Sequence, residues 1–439
     1  MRWHLALIWQ PDASWQYSQG GLSLNTWVSA SAGPGPIYDR GVNYMVLSAC
    51  DTNLMKPFRF RMPQEVIFES GSSRQAPEKA LRLGSKRPLF ITGTQMAKSS
   101  RLACLMEGCS ELGMMPGHWD RVEPEPPVEL LEDAVSYIRE GSFDSLIAFG
   151  GGSSMDFAKM AAVMAENPDI EVSEMVGSEK IPRKGLPTIM IPTTSGSGSE
   201  VSAVAVFSFA EEKMKKGISS RFLVADIAIV DPELTLDLPP HITAASGMDA
   251  LVHGVEAFLS LGTNRFTQDL ALIAIKNIYS NLTECVLNGH NLYAREAQSY
   301  GSMTAGMAFS MSGTAGVHAM AYPLGGQYHV PHGEANTALL RWVMEYSLEG
   351  CEEKFIPIAE AMGLRSYGMT ACDAANAALR GIVELGEKIG VKTRLREFGI
   401  PRDAAPEMAK AALREVRLMS NNPRPLDFES VRAIYEKAW

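Results

Sequence analysis

Several features that commonly reveal a protein's role are missing from this 439-residue chain. Its six cysteines, Cys50, Cys104, Cys109, Cys285, Cys351 and Cys372, form no CxxC pair and no dense framework. That argues against a disulfide scaffold or zinc ribbon and points to reduced thiols in the cytoplasm. Cys104 and Cys109 read as a buried or half-buried helix face rather than a metal clip. There is no basic excess: 40 Lys and Arg against 50 Asp and Glu leave a net charge of -10, which disfavours nucleic acid or an anionic membrane as partner. No uncharged apolar run reaches about 18 residues, so no membrane-spanning helix is expected. Neither GxGxxG nor GxxxxGK[ST] occurs, and we find no internal repeat or low-complexity tract.

What is present reads as an ordinary globular composition, 46% hydrophobic and 21% charged, long enough for two or three domains. Residues 1–57 stand apart. They hold scattered tryptophans and the stretches QYSQGG and SASAGPGP without sustained periodicity, and the apolar core of MRWHLALIWQPD is too short before Pro11 for a secretory signal. We expect no stable fold there: either a mis-assigned start with Met45 or Met55 as the true one, or a disordered extension. From about Phe58 strands and helices alternate, with PLFIT ending at Gly93, a helix through MAKSSRLACLMEGCSELG, and an amphipathic helix with Leu130, Ala134, Tyr137 and Ile138 on one face. This predicts a parallel sheet with crossover helices over 58–238. From 239 to 439 the chain is predicted all helical, rich in Ala, Met and Leu.

Two polar loops follow apolar strands. GGGSSMD, Gly150 to Asp156, comes after SLIAF and opens a helix, where glycines and free N–H groups suit a diphosphate. PTTSGSGSE, Pro192 to Glu200, follows IMI and offers hydroxyl and amide donors. Both loops at carboxyl ends of parallel strands would line one crevice; the bland readings are a plain turn and a flexible linker. Further on, Asp249 and His253 are four apart in a helical stretch, so they leave one face, and His318 and His332 follow beside glycine turns. One carboxylate and three imidazoles suit Fe²⁺ or Zn²⁺ rather than Mg²⁺ or Ca²⁺. His329 is read as structural or as a partner of a ligand; His4, His118, His241 and His290 are expected at the surface.

At these residues the chain resembles the iron-containing, or group III, alcohol dehydrogenases, over about residues 58 to 439. The resemblance rests on GGGSSMD, PTTSGSGSE, VDPELTLDLPPHITAASGMDALVHGVEAF and the GVHAMAYPLGG to PHGEAN segment, in family order. It implies an α/β N-terminal nucleotide-binding domain plus an all-α C-terminal domain, the fold shared with dehydroquinate synthase, with a metal between them. By resemblance the ligands are Asp249, His253, His318 and His332. Gly151, Gly152, Ser153 and Asp156 would hold the pyrophosphate and nicotinamide side of NAD or NADP, with Thr193, Thr194, Ser197 and Lys216 as further contacts.

Two departures from the family pattern stand out. Tyr322 replaces a common histidine four residues after His318, leaving a phenol as proton relay. Gly93 occupies the place of an acidic residue that selects NAD, so NADP is admitted, with Lys98 or Arg101 as nearby cations. The implied activity is hydride transfer between a small alcohol or aldehyde and NAD(P) by a cytoplasmic homodimer or larger assembly. A glycerol-dehydrogenase-like polyol oxidoreductase and a dehydroquinate-synthase-like lyase are the alternatives.

Overall fold

The computed structural model describes residues 57–439 except Glu125, residues 210–213 and Ser366. The readings for residues 1–56, including Cys50 and His4, lie outside the described residues.

The first half builds nine strands: β1 (Glu65–Phe68), β2 (Pro88–Ile91), β3 (Gly117–Trp119), β4 (Ser145–Gly150), β5 (Gly177–Ser178), β6 (Thr188–Pro192), β7 (Val204–Phe209), β8 (Met214–Ser219) and β9 (Ile227–Val230). Six of them form one sheet in the order β1-β9-β6-β4-β2-β3, every pairing parallel. Helices α1 (Ala76–Arg82), α2 (Ser100–Glu111), α3 (Leu130–Glu140), α4 (Gly152–Glu166) and α5 (Val172–Met175) intervene between strands. Strands β2, β4, β6 and β9 are buried at every residue. This is why they read as continuous apolar runs rather than alternating ones. By contrast β7 alternates half-buried and buried residues and pairs antiparallel with β8, in a small second sheet completed by β5.

Two helix readings shift. The stripe that α3 buries is Leu131, Ala134, Val135 and Ile138, spaced i, i+3, i+4, i+7. Tyr137 is 40% exposed, its ring lying against Trp119 and Phe143, and Leu130, the first helical residue, is only half-buried. The helix after Gly93 is interrupted: a short 3₁₀ turn at Met96–Lys98 precedes α2, which Ser99 caps by accepting the Leu102 N–H at 3.2 Å. On α2 Cys109 is buried but Cys104 is exposed.

The second half is helical: α6 (Pro240–Leu259), α7 (Arg265–Leu287), α8 (Leu292–Ser312), α9 (Gly316–Tyr328), α10 (His332–Ser347), α11 (Phe355–Ala361), α12 (Ala371–Lys388), α13 (Ala405–Ala412), α14 (Val416–Met419) and α15 (Phe428–Ala438). Fifteen of the 20 residues of α6 are buried, which makes it the central rod, with α7, α8 and α10 packed against it. A helix apolar nearly all round has no face left for water, so any polar side chain on it must find a partner inside. Among the described residues α7 alone has the length and hydropathy of a membrane span. It lies along α6 and α8 and opens with a capping box between Asn264 and Thr267.

Candidate metal centre and adjoining cleft

Polar side chains on the apolar rod α6 mark the site. Asp249, His253 and Glu256 recur at i, i+4 and i+7 and so share one face; all three are buried. Ligand atoms of Asp249, His318 and His332 lie within 4.8 Å of one another, with Asp249 Oδ1 3.9 Å from His318 Nε2 and 4.0 Å from His332 Nε2. The set draws on α6, α9 and α10. The turn between α9 and α10 sets the last member: α9 ends at His329 in the left-handed conformation (φ 54°), and after Pro331 His332 begins α10. His329 itself is exposed, and its role in the described residues is to stop a helix. His118, His241 and His290 are exposed as expected.

The hydrogen bonds define how each ligand is held. His318 Nδ1–H donates to Glu256 Oε2 at 2.5 Å, while the same carboxylate accepts the backbone N–H groups of Val317 (2.6 Å) and Ala315 (3.1 Å). With the proton fixed on Nδ1, the lone pair is on Nε2. That Nε2 is buried and has no hydrogen-bond partner among the described residues. Asn336 donates to Asp249 Oδ1 at 2.7 Å and lies 3.2 Å from His332 Nε2. Burial would raise the Asp249 carboxyl, but His253, His332, His318 and Asn336 together hold it below the usual range. Burial lowers His253 to about 4 and His332 to about 3 despite the pull of Asp249, so both rings are neutral at pH 7. An orphaned buried nitrogen, neutral imidazoles and an ionised carboxylate fit a divalent transition metal.

His253 adjoins this trio, one turn along α6 from Asp249 and stacked on His318. Its ring is sandwiched between Phe309 (4.4 Å) and His318 (4.6 Å), and Nδ1 lies 3.3 Å from the Gly196 carbonyl. It thereby ties α6 to the second polar loop.

That loop meets the first one directly, because β4 and β6 are neighbours in the sheet. Thr193 N–H donates to Gly150 O at 2.9 Å. A Cβ on Gly151 would lie 3.4 Å from Thr194, and one on Gly152 only 2.8 Å from Ser197, so Gly152 is required by close approach. From the other side Gly198 packs on Gly306 of α8, where an added Cβ would come within 2.5 Å. Helix α4 starts at Gly152 without a side-chain cap, and Ser153 is half-buried in its first turn. The positive end of its dipole favours an anion there.

Three sequence-derived candidates sit differently from the expected pattern. Asp156 directs both oxygens into the protein, accepting Ser199 O–H (2.5 Å) and Val206 N–H (3.0 Å). Lys216 lies over the Phe209 ring at 4.8 Å. Its neighbour Lys215, on the opposite face of β8, is buried, reaches Gly325 of α9, and its charge acts on His332. The one-residue alternation of a strand decides which lysine enters the cleft. Tyr322 is buried 6.2 Å from the His332 ring, and burial pushes its phenol well above the ordinary value.

Gly93 follows β2, and a Cβ there would meet the Val122 carbonyl at 2.9 Å. Lys98 is exposed, and Arg101 turns to Asp237 at 3.8 Å. Sequence reasoning missed Glu256, Asn336 and Lys215. The i, i+4, i+7 spacing of Asp249, His253 and Glu256 was the available signal for the first.

Residues 63–232 match the family profile described as iron-containing alcohol dehydrogenase, and residues 243–439 match its C-terminal counterpart, Fe-containing alcohol dehydrogenase family, C-terminal. The chain is 39% identical over 371 residues to long-chain-alcohol dehydrogenase 1 of Geobacillus thermodenitrificans, covering 84% of this chain and 93% of that protein. Among solved structures it resembles 1,3-propanediol oxidoreductase, with a TM-score of 0.84, 34% identity and coverage of 88% and 100% of the two chains. It also resembles a sulfoacetaldehyde reductase from Bifidobacterium kashiwanohense in complex with NAD⁺, with a TM-score of 0.77, 28% identity and coverage of 87% and 98%. With both halves matched and the fold shared along nearly the whole described chain, this protein belongs to the iron-containing alcohol dehydrogenase family.

Proposed function

We propose that the chain catalyses reversible hydride transfer between a small alcohol, or the corresponding aldehyde or ketone, and NAD or NADP. The metal, Fe²⁺ or Zn²⁺, is held by Asp249, His318 and His332, with His253 as fourth ligand. One observation carries this reading: three ligand groups from three helices converge, and His318 presents an unpartnered buried Nε2 whose tautomer Glu256 fixes. When bound, the ion supplies Lewis acidity to the substrate oxygen and the nicotinamide supplies the hydride acceptor.

The protein's own residues do the rest. Glu256 keeps the Nδ1 proton on His318, and Asn336 steadies Asp249 beside His332. The N-terminus of α4 with Gly151, Gly152 and Ser153 seats the pyrophosphate, and Thr193, Thr194 and Ser197 close over it. Lys215, rather than Lys216, brings a cation beside His332. The Tyr322 phenol stays protonated and acts as a hydrogen-bond donor, not as a base. With glycine at position 93, no carboxylate opposes a 2′-phosphate, so both cofactors are admitted. The nucleotide half spans 58–238 and the metal and substrate half 239–439. A cytoplasmic homo-oligomer fits the resemblance.

The test is a panel of small primary and secondary alcohols and aldehydes with NAD and NADP, using protein reconstituted anaerobically with each metal. Turnover that disappears on chelation and returns with metal is expected. Absence of any change in reduced cofactor with every pair rejects the reading.

A further inference from the structure

Behind the two polar loops lies a buried ammonium that the reaction does not use. Lys159 of α4 is 2% exposed. Its Nζ donates to Ser199 Oγ (2.7 Å), to the Ser202 carbonyl (3.1 Å) and hydroxyl (3.4 Å), and to the Val204 carbonyl (3.1 Å); Asp156 Oδ1 is 3.9 Å away. Ser199 passes the connection on by donating to Asp156, whose other oxygen accepts Val206 N–H. One ammonium therefore joins three segments: the helix that opens at the first loop, the end of the second loop, and the start of β7. Strand β7 pairs with β8, which carries Lys215 toward His332.

A residue filling space here would be apolar, because burying an ammonium is costly unless its protons are all used. The carboxylates that act on Lys159 are Asp156 and Glu200. Burial lowers Lys159 to about 8, with Asp156 and then Glu200 opposing, so the charged form prevails at neutral pH. The same burial raises Glu200 to about 7.

We propose that Lys159 is a positioning residue which holds the two polar loops and the β7–β8 hairpin in register, and thereby sets affinity for the nicotinamide nucleotide without touching it. This rests on the assignment of the cleft to that nucleotide. Hydrogen bonds from a charged donor are strong enough for their loss to shift a binding constant by about tenfold or more. None of them is made to Asp249, His318 or His332, so the effect is expected on the nucleotide before the ion.

The experiment compares wild type, Lys159→Met and Ser199→Ala for dissociation constants of NADH and NADPH by fluorescence, cofactor KM, kcat at saturating cofactor, and bound metal. Lys159→Met is expected to weaken cofactor binding about tenfold or more, with kcat within about threefold and metal content unchanged. Ser199→Ala removes one arm of the tie and should weaken binding about threefold; it decides the matter if Lys159→Met does not fold. Unchanged cofactor affinity in a folded Lys159→Met protein, or in Ser199→Ala where that must decide, overturns the proposal. So does a loss confined to kcat. Wild type that binds neither nucleotide would instead overturn the functional reading on which this one depends.

Discussion

The two walls of the cleft present chemistry in different ways. On the helical wall, the candidate groups are polar side chains projecting from a rod that is otherwise apolar: Asp249, His253 and Glu256 on α6, met by His318 on α9 and His332 on α10. On the sheet wall they are backbone, with side chains absent, as where Gly152 lets Ser197 approach and Gly198 lets α8 close on the loop. In the proposed reading the first wall offers a point, the seat of an ion, and the second a surface along which an extended anion lies. Substitutions should therefore separate into those that empty the point and those that deform the surface.

The largest expected effect is on the helical wall. His318→Ala should lose bound metal and lower turnover by more than about a hundredfold, while nucleotide binding survives; metal analysis beside cofactor fluorescence checks both halves. Glu256→Gln keeps the shape but weakens the hold on the His318 proton. It should cost about 10- to 100-fold in metal affinity, measured by chelator competition. If His318→Ala retained full activity without metal, the division between the walls would fail at its first member.

On the sheet wall Gly152→Ala places a methyl group 2.8 Å from Ser197. It should raise cofactor KM about five- to tenfold, with metal content unchanged, because the loop must move to relieve overpacking. A Gly152→Ala protein that lost metal instead would show that the walls are not independent. The smallest effect is expected where they meet: burial keeps the Tyr322 phenol protonated. Tyr322→Phe should leave kcat within about threefold and the pH profile unmoved. A displaced basic limb in that profile would restore Tyr322 as a proton acceptor.

Legibility in the sequence followed the same division. Spacing on a helix is read from numbering alone, so Asp249 and His253 were visible, and Glu256 lay one further step along the same face. Apolar strands followed by glycine-rich turns marked β4 and β6 and their loops. The α3 stripe shifted toward Leu131 and Val135, because its first and outermost residues reach the surface. The lysine beside His332 could not be read from the motif, since a strand sends adjacent residues to opposite faces and only pairing with β7 fixes which is which. Asp156 was assigned to the cofactor from its motif, yet both its oxygens are taken by the second loop and β7, partners 43 and 50 residues away.

By itself the sequence determined the class of elements, their order and the inventory of donors, because periodicity and turn chemistry are local properties of the chain. Three decisions were left to the tertiary structure. It selected the trio of Asp249, His318 and His332 whose ligand atoms converge, it set the His318 tautomer through Glu256, and it bound the two loops and the β7–β8 hairpin together through Lys159. Each depends on atoms brought within hydrogen-bonding or ligand distance by packing across the fold, and low-dielectric burial then makes every one of those contacts matter.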